Sequence, residues 1–153
     1  MVEKSNVDWL RAFGVYLGAS VVMHFAWEAL PVPLYSIWRT GSSREIAFAV
    51  LHCTAGDLMI ASLSLLAALI LIGDGAWPAE RFIPIMMAAL VIGIGYTGYS
   101  EWLNISVRKS QTYSELLPRL PWIGTGLAPL LQWLIVPVLV FSAIQRRARS
   151  KGR

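Results

Sequence analysis

The chain has 153 residues, of which 56 % are apolar and only 14 % are charged, and its mean hydropathy is +0.58. Soluble globular domains carry about a quarter of charged residues, so this composition excludes a soluble enzyme. Apolar runs of roughly 20 residues are long enough to cross a bilayer as helices, and no stretch shows the alternating pattern of a membrane barrel. We therefore predict an all-helical, multi-pass membrane protein.

Four membrane spans use most of the chain, which predicts one integral membrane domain over residues 1–153 and no separate soluble module. The predicted spans are residues 12–30, 46–73, 82–102 and 122–144. Tryptophan prefers the ends of membrane spans. Of the seven tryptophans, those at or just outside predicted span ends are Trp9, Trp38, Trp77, Trp102 and Trp122. The pattern predicts a four-helix bundle.

The net charge of +4 comes largely from the C-terminal tail. Five of the thirteen basic residues lie in the last eight positions, namely Arg146, Arg147, Arg149, Lys151 and Arg153. We interpret this tail as a cytoplasmic anchor to anionic membrane lipids and predict no nucleic-acid partner. Together with Lys4, Arg11 and Arg81, the tail places eight basic residues on the side of the termini against five on the other side, which favours cytoplasmic termini. A second copy of the chain or a partner membrane subunit stays an alternative as the binding partner. Because Cys53 is the single cysteine, an internal disulfide is excluded.

Six polar side chains fall in one half of the predicted bilayer. Ionisable residues within spans cost free energy and normally face the protein interior or a cavity. The first span runs outward, the second begins on the outer side and the third ends there, so these residues lie at one level. They are His24 and Glu28, then His52, Cys53 and Asp57, and finally Glu101. We predict a polar pocket in the outer half of the bilayer.

His24 and Glu28 are four residues apart and share one helical face. A carboxylate held against an imidazole suits proton transfer, so we assign Glu28 and Asp57 as candidate catalytic residues and His24 as the residue that orients Glu28. The alternative is a satisfied buried pair that orients two helices. Asp57 lies deeper than His52 and is predicted to face the pocket.

The third and fourth spans add candidate binding residues. The run from Gly93 to Gly98 contains a G-x-G-x-x-G string, but it lies within a membrane helix, where glycines let neighbouring helices approach closely, and is not a nucleotide fingerprint. Gln132 lies between Pro129 and Pro137, which predicts a doubly interrupted helix whose freed carbonyls find partners or line a cavity. The candidate substrate-binding residues are Trp27, Tyr96, Tyr99, Glu101, Gln132 and Trp133.

A metal or haem site is the alternative to acid–base chemistry. The side chains of His24, Glu28, His52, Cys53 and Asp57 are all of ligand types, and haem could be held between the two histidines. The zinc-protease and di-iron spacings are absent from the sequence. We predict no cofactor and keep a metal ion or haem as the alternative. An accessory subunit or a small proton-coupled transporter is a further alternative.

The order of these residues resembles the EXPERA fold of the emopamil-binding and sigma-2 receptor proteins. The residues that carry the resemblance are His24–Phe25–Ala26–Trp27–Glu28, Asp57, the Gly- and Tyr-rich run that ends in Glu101, and Trp133 four residues before Pro137. The resemblance implies a membrane pocket for sterol-like amines and, in the sterol isomerases, double-bond migration by protonation and deprotonation. His24 and Glu28 would match the isomerase His-x-x-x-Glu, and Asp57 or Glu101 the further acids. Leu130 stands where that family has asparagine, and the long acidic loop after the first helix is missing.

A closer resemblance is to an uncharacterised group of small bacterial multi-pass membrane proteins. It rests on the run from His52 to Asp57 and on the run from Gly124 to Pro137. It implies a bacterial inner membrane and indicates nothing about the activity. The leading functional prediction is binding of a hydrophobic or lipid-like molecule in the polar pocket, with acid–base isomerisation as the chemistry that the pocket could carry.

Overall fold

The computed structural model describes residues 2–73, 75–107 and 126–150, with side chains from residue 9 to residue 147 except those of residues 105 and 106. The α-helices are α1 (Val2–Ala29), α2 (Ile37–Thr40), α3 (Ser43–Ile72), α4 (Phe82–Trp102) and α5 (Leu127–Ser150). A 3₁₀ turn, Val32–Leu34, precedes α2, and a π-helical segment, Leu103–Val107, continues α4. The predicted all-helical class is confirmed.

Four segments are long and apolar enough to cross a membrane, namely Trp9–Ala29, Ser43–Ile72, Phe82–Trp102 and Leu127–Arg147. The four-helix bundle of membrane-spanning length is therefore confirmed. The predicted limits of the first three spans agree with these helices to within a few residues. The predicted start of the fourth span, residue 122, lies outside the described residues, and the side of the membrane that holds the termini stays a prediction.

The four long helices form a closed ring in which each packs against two neighbours. α1 contacts α3 and α5, and α4 contacts the same two helices. Residues from the end of α1, the start of α3, the end of α4 and the start of α5 line one cleft, so neighbouring helices of the ring run antiparallel. The polar residues of the sequence are concentrated at this end.

The other half of the bundle is filled with apolar side chains. Phe141 of α5 is fully buried and makes edge-to-face contacts with Tyr16 of α1 and Phe82 of α4, with ring centroids 5.4 and 5.8 Å apart. The hydroxyl of Tyr16 donates to the carbonyl of Ala61 on α3 at 3.0 Å. The remaining buried apolar residues of this core include Leu65, Ala68, Ile85, Ala89, Val140 and Ile144. Interdigitated packing of this kind fixes the positions of the helices.

Local hydrogen bonds fix the ends of α3. The helix begins with a capping box, in which Ser42 Oγ accepts from the backbone N–H of Glu45 at 3.3 Å and the Glu45 carboxylate accepts from the backbone N–H of Ser42 at 2.7 Å. Gly73 ends the helix by donating its N–H to a carbonyl one turn earlier at 2.9 Å. The Arg81 side chain then donates to the carbonyl of Ile72 at 3.1 Å. This contact ties the end of α3 to the start of α4.

The fourth spanning helix corrects one prediction. Pro129 is the third residue of α5, in the first turn where proline is tolerated, and Pro137 lies inside the helix. A single helix runs through both prolines, so the interruption predicted at Pro129 is wrong, whereas Pro137 does leave one helical hydrogen bond unmade. Because proline has no backbone N–H, Pro137 cannot donate to the carbonyl of Trp133, four residues earlier.

Among the glycines of α4, Gly93 is the position where a side chain would not fit. A Cβ atom there would overlap the six-membered ring of Trp133 on α5. A Cβ at Gly95 or Gly98 would meet nothing within 4 Å. The close helix approach that the sequence predicts for this glycine run therefore depends on Gly93.

The outward faces of the long helices are apolar. Large side chains that are more than half exposed include Leu51, Met59, Leu63, Ile70 and Val91. Apolar surface of this extent is unfavourable in water, whereas lipid tails solvate it as well as a protein interior does. The exposed surface therefore agrees with the membrane-spanning lengths of the helices.

Candidate functional site

A cleft of about 900 Å³ lies at the end of the bundle where α1 and α4 finish and α3 and α5 begin. Its polar lining includes Glu28, Cys53, Asp57, Thr97, Glu101 and Gln132. Its apolar lining includes Val32, Phe48, Ile60 and Trp133. All four long helices and the α1–α3 connection therefore contribute to one cleft.

The side-chain amide of Gln132 on α5 joins His24 of α1 to Asp57 of α3. Its Nε2 atom lies 2.6 Å from Oδ2 of Asp57 and 2.9 Å from Nδ1 of His24. An amide nitrogen carries two hydrogens, so it can donate one to the carboxylate and one to an unprotonated ring nitrogen. In that arrangement the proton of neutral His24 resides on Nε2. A buried glutamine thus holds three helices together through two hydrogen bonds.

His24 is almost fully buried, with 1 % of its surface exposed, and it lies between Asp57 and Trp133. Its Nδ1 atom is 3.5 Å from Oδ2 of Asp57, and its ring centroid is 5.5 Å from that of Trp133. These contacts are to α3 and α5. The spacing in the sequence predicts Glu28 as the partner of His24, and the structure places Asp57 and Gln132 there instead.

Glu28 lies at the same cluster from the side of α1. Its carboxyl group interacts with the side chains of Asp57, Gln132 and Cys53. Two carboxyl groups from different helices therefore meet on one wall of the cleft. Neighbouring carboxyl groups can share a proton through a hydrogen bond, in which the protonated group donates and the ionised group accepts. This pair can both give and take a proton.

Tyr35 lines the cleft from the connection between α1 and α3. Burial, followed by the negative charges of Glu28 and Glu101, raises the pKa of the Tyr35 phenol above its usual value. The phenol therefore stays neutral well into the alkaline range and keeps its hydrogen as a donor. Tyr35 is a lining residue that the sequence analysis missed, because no periodic signal marks a connector residue.

Three buried side-chain polar atoms lack a hydrogen-bond partner among the described residues. Two of them, Thr97 Oγ1 and Trp133 Nε1, belong to residues that line the cleft. The third, Trp77 Nε1, lies in the connection between α3 and α4. Thr97 is not among the predicted site residues, and its position one turn before Glu101 is the only sequence signal that could have found it.

The remaining predicted site residues lie apart from this cluster. Trp27 donates its indole N–H to the carbonyl of Ala128 at 3.2 Å and so joins the end of α1 to the start of α5. Tyr96 and Tyr99 are more than half exposed on α4. Of the predicted site residues, the described lining of the cleft includes Glu28, His52, Cys53, Asp57, Glu101, Gln132 and Trp133. His24 lies behind that lining, whereas Trp27, Tyr96 and Tyr99 are outside it.

The described residues contain no group of three or more His, Cys, Asp or Glu side chains arranged to hold a metal ion. His52 is exposed and stacks on Phe48, with ring centroids 5.6 Å apart. His24 has its Nδ1 atom engaged with Gln132. The alternative assignment of His24, Glu28, His52, Cys53 and Asp57 to a metal or haem stays a prediction.

The fold and the cleft define a bundle of four helices of membrane-spanning length with a polar cluster at one end. Comparison with protein-family models, curated proteins and solved structures found no match for this chain. The resemblances to the EXPERA fold and to the small bacterial proteins stay predictions from the residues quoted above.

Proposed function

We propose that this protein binds a hydrophobic or lipid-like molecule in the cleft, with the polar end of the molecule beside Glu28 and Asp57. The observation that carries the proposal is the meeting of these two carboxyl groups with Gln132 in a cleft of about 900 Å³. Small-molecule sites are typically clefts of several hundred Å³ in which a few polar groups are placed on largely apolar walls. An amphipathic molecule fits both parts of this lining.

The carboxyl pair also supports a chemistry, which is the movement of a double bond within the bound molecule. A protonated Glu28 would add its proton to one carbon of the double bond, and ionised Asp57 would remove a proton from a carbon next to the resulting cation. The double bond shifts by one position, and one proton passes from Glu28 to Asp57. Gln132 and His24 would hold Asp57 in place throughout.

Native mass spectrometry of the full chain in mild detergent tests the binding proposal. We expect an organic molecule bound to the unmodified protein and lost in a His24→Ala, Asp57→Asn double variant. Glu80→Gln is the matched control, because Glu80 is an exposed carboxylate in the α3–α4 connection, away from the cleft. If the unmodified protein carries no organic molecule, the proposal is wrong and an accessory or structural subunit becomes the better interpretation.

The same spectrum separates the other candidate functions. A metal or haem mass would reassign His24 and His52 as ligands. A second copy of the chain would support the homo-oligomer, and a different protein would support the partner subunit. For location we propose a cell membrane, and the bacterial inner membrane on the strength of the bacterial resemblance.

Once a bound molecule is identified, Glu28→Gln tests the chemistry. This substitution keeps the shape of the side chain and removes its ability to carry the proton. We expect turnover to fall by about a hundredfold or more, since general acid–base groups contribute roughly 10²–10⁴-fold. Circular dichroism of the variant checks that the helices are intact. A fully active Glu28→Gln, Asp57→Asn double variant would exclude the mechanism while leaving binding in place.

A further inference from the structure

Gly56 is the one glycine within the long helices that lines the described part of the cleft. A Cβ atom at this position would meet nothing within 4 Å, and the residue is half-buried. Gly93, by contrast, lies directly against the ring of Trp133. The open space beside the backbone of Gly56 therefore belongs to the cleft.

This open space adjoins the carboxyl pair. Gly56 lies on the same flank of α3 as Cys53, three residues before it, and Ile60, four residues after it. Both of these neighbours line the cleft and are half-buried. The side chain of Cys53 interacts with Glu28, and Asp57 is the next residue along α3. A molecule with its polar end beside the carboxyl pair therefore has room to extend over Gly56.

The usual reasons for a glycine within a helix do not apply at Gly56. Its backbone does not have a positive φ angle, since among the described residues that conformation occurs at Gly75 and Arg81. No neighbouring helix presses against it, in contrast to Gly93. Glycine is a poorer helix former than alanine or leucine, so its presence weakens α3 slightly. What position 56 gains from glycine is free space next to the carboxyl pair.

We infer that Gly56 determines the size of the molecule that the cleft accepts, because the part of the molecule next to its polar end packs on the bare backbone of this residue. Ile60 is the last residue of α3 in the described lining and packs against the apolar core, so it limits how deep the molecule reaches. This inference rests on the proposed function and names a specificity-determining residue of that site. Gly56 takes no part in proton transfer.

Two maleimides of different size measure the space at Gly56. Cys53 is the single thiol of the chain, so its alkylation by N-methylmaleimide or by the larger N-cyclohexylmaleimide reports which size fits beside the carboxyl pair. In Gly56→Leu we expect the rate with the larger reagent to fall about tenfold relative to the smaller one, as overpacking predicts. Gly56→Ala should lower this ratio by about twofold. Gly95→Leu is the matched control and should leave the ratio unchanged, because Gly95 also has open space at its Cβ but lies on α4 outside the described lining.

Native mass spectrometry of the same variants tests the role of Gly56 in binding. The organic molecule that copurifies with the unmodified protein should be lost from Gly56→Leu and kept by Gly95→Leu. Both substitutions introduce a better helix former, so unfolding does not explain a loss, and circular dichroism checks the helices. If Gly56→Leu keeps the molecule, or the alkylation ratio does not change, the inference is wrong and binding of a lipid-like molecule stands. If the unmodified protein carries no organic molecule, the proposed function fails together with the inference.

Discussion

Gln132 is the residue on which the polar cluster depends, because its amide nitrogen contacts His24 and Asp57 at the same time. Replacing it with an apolar residue leaves a buried imidazole and a carboxylate without their shared donor. Leaving a buried polar group without a hydrogen-bond partner costs more free energy than the hydrogen bond itself contributes to stability. Gln132 therefore contributes to stability and to the geometry of the site together.

We predict that Gln132→Leu lowers the free energy of unfolding by about 2 kcal/mol, the typical cost of leaving a buried group unsatisfied. Unfolding of the full chain in mixed micelles, followed by circular dichroism during titration with dodecyl sulfate, measures the change. Gln145→Leu is the control, because Gln145 lies on the same helix beyond the polar cluster and is only half-buried. Equal stability of the two variants would contradict the role assigned to Gln132.

The polar residues of the site could be predicted from sequence, but their partners could not. The levels of Glu28, Asp57 and Gln132 follow from counting along helices of known rise. Which residue faces which depends on the rotation of each helix about its axis, and no spacing within one helix contains that information. His24 therefore contacts Asp57 on α3 rather than Glu28 one turn away on α1.

At the scale of the helices, the contact between α4 and α5 depends on the absence of a side chain at Gly93. The glycine-rich run suggests close packing, yet Gly95 and Gly98 have open space where a Cβ would be. Composition alone cannot show which of these glycines lies in the tight contact, because that depends on where the large ring of Trp133 lies. The glycine that matters for packing is the one opposite the largest buried side chain of the neighbouring helix.

We predict that Gly93→Ala lowers the free energy of unfolding by about 1–3 kcal/mol, as overpacking of a tight contact generally does. Gly95→Ala should instead raise it by about 0.5–1 kcal/mol, since alanine is the better helix former and has room there. The same unfolding titration measures both variants. If Gly93→Ala is as stable as Gly95→Ala, α4 and α5 do not pack as described.

The extents of the helices were the most predictable feature at this scale. Long apolar runs, with proline and glycine between them, predict the limits of α3 and α4 to within a few residues. The Ser42–Glu45 capping box explains why α3 starts a few residues before the predicted position. The fourth span was predicted to run through Pro129, but Pro129 was also interpreted as an interruption of the helix, which it is not. Proline in the first turn removes no helical hydrogen bond, so α5 continues through it.

At the scale of the whole molecule, the ring of antiparallel helices places the α1–α3 connection and the α3–α4 connection at opposite ends. The basic tail predicts cytoplasmic termini. If that orientation holds, the cleft opens toward the outer face of the membrane and the aromatic core lies toward the cytoplasm.

We predict that a cysteine at Arg39 reacts with a membrane-impermeant maleimide added outside intact cells and that a cysteine at Glu80 does not. Both positions are exposed and lie in the two opposite connections. The variants are made in a Cys53→Ser background, which removes the single native thiol. Labelling after permeabilisation confirms that the Glu80 cysteine is present. The reverse labelling pattern would place the termini outside.

Pro137 divides α5 into two parts with different anchors. The part after it carries Phe141 and Ile144, which are fixed in the aromatic and aliphatic core, while the part before it carries Gln132 and Trp133. Pro137 has no backbone N–H and so leaves one helical hydrogen bond unmade. Bending the helix at this point therefore breaks fewer hydrogen bonds than bending it elsewhere. The weakest point of α5 against bending therefore lies between the aromatic core, which holds one part of the helix, and the polar cluster, which holds the other.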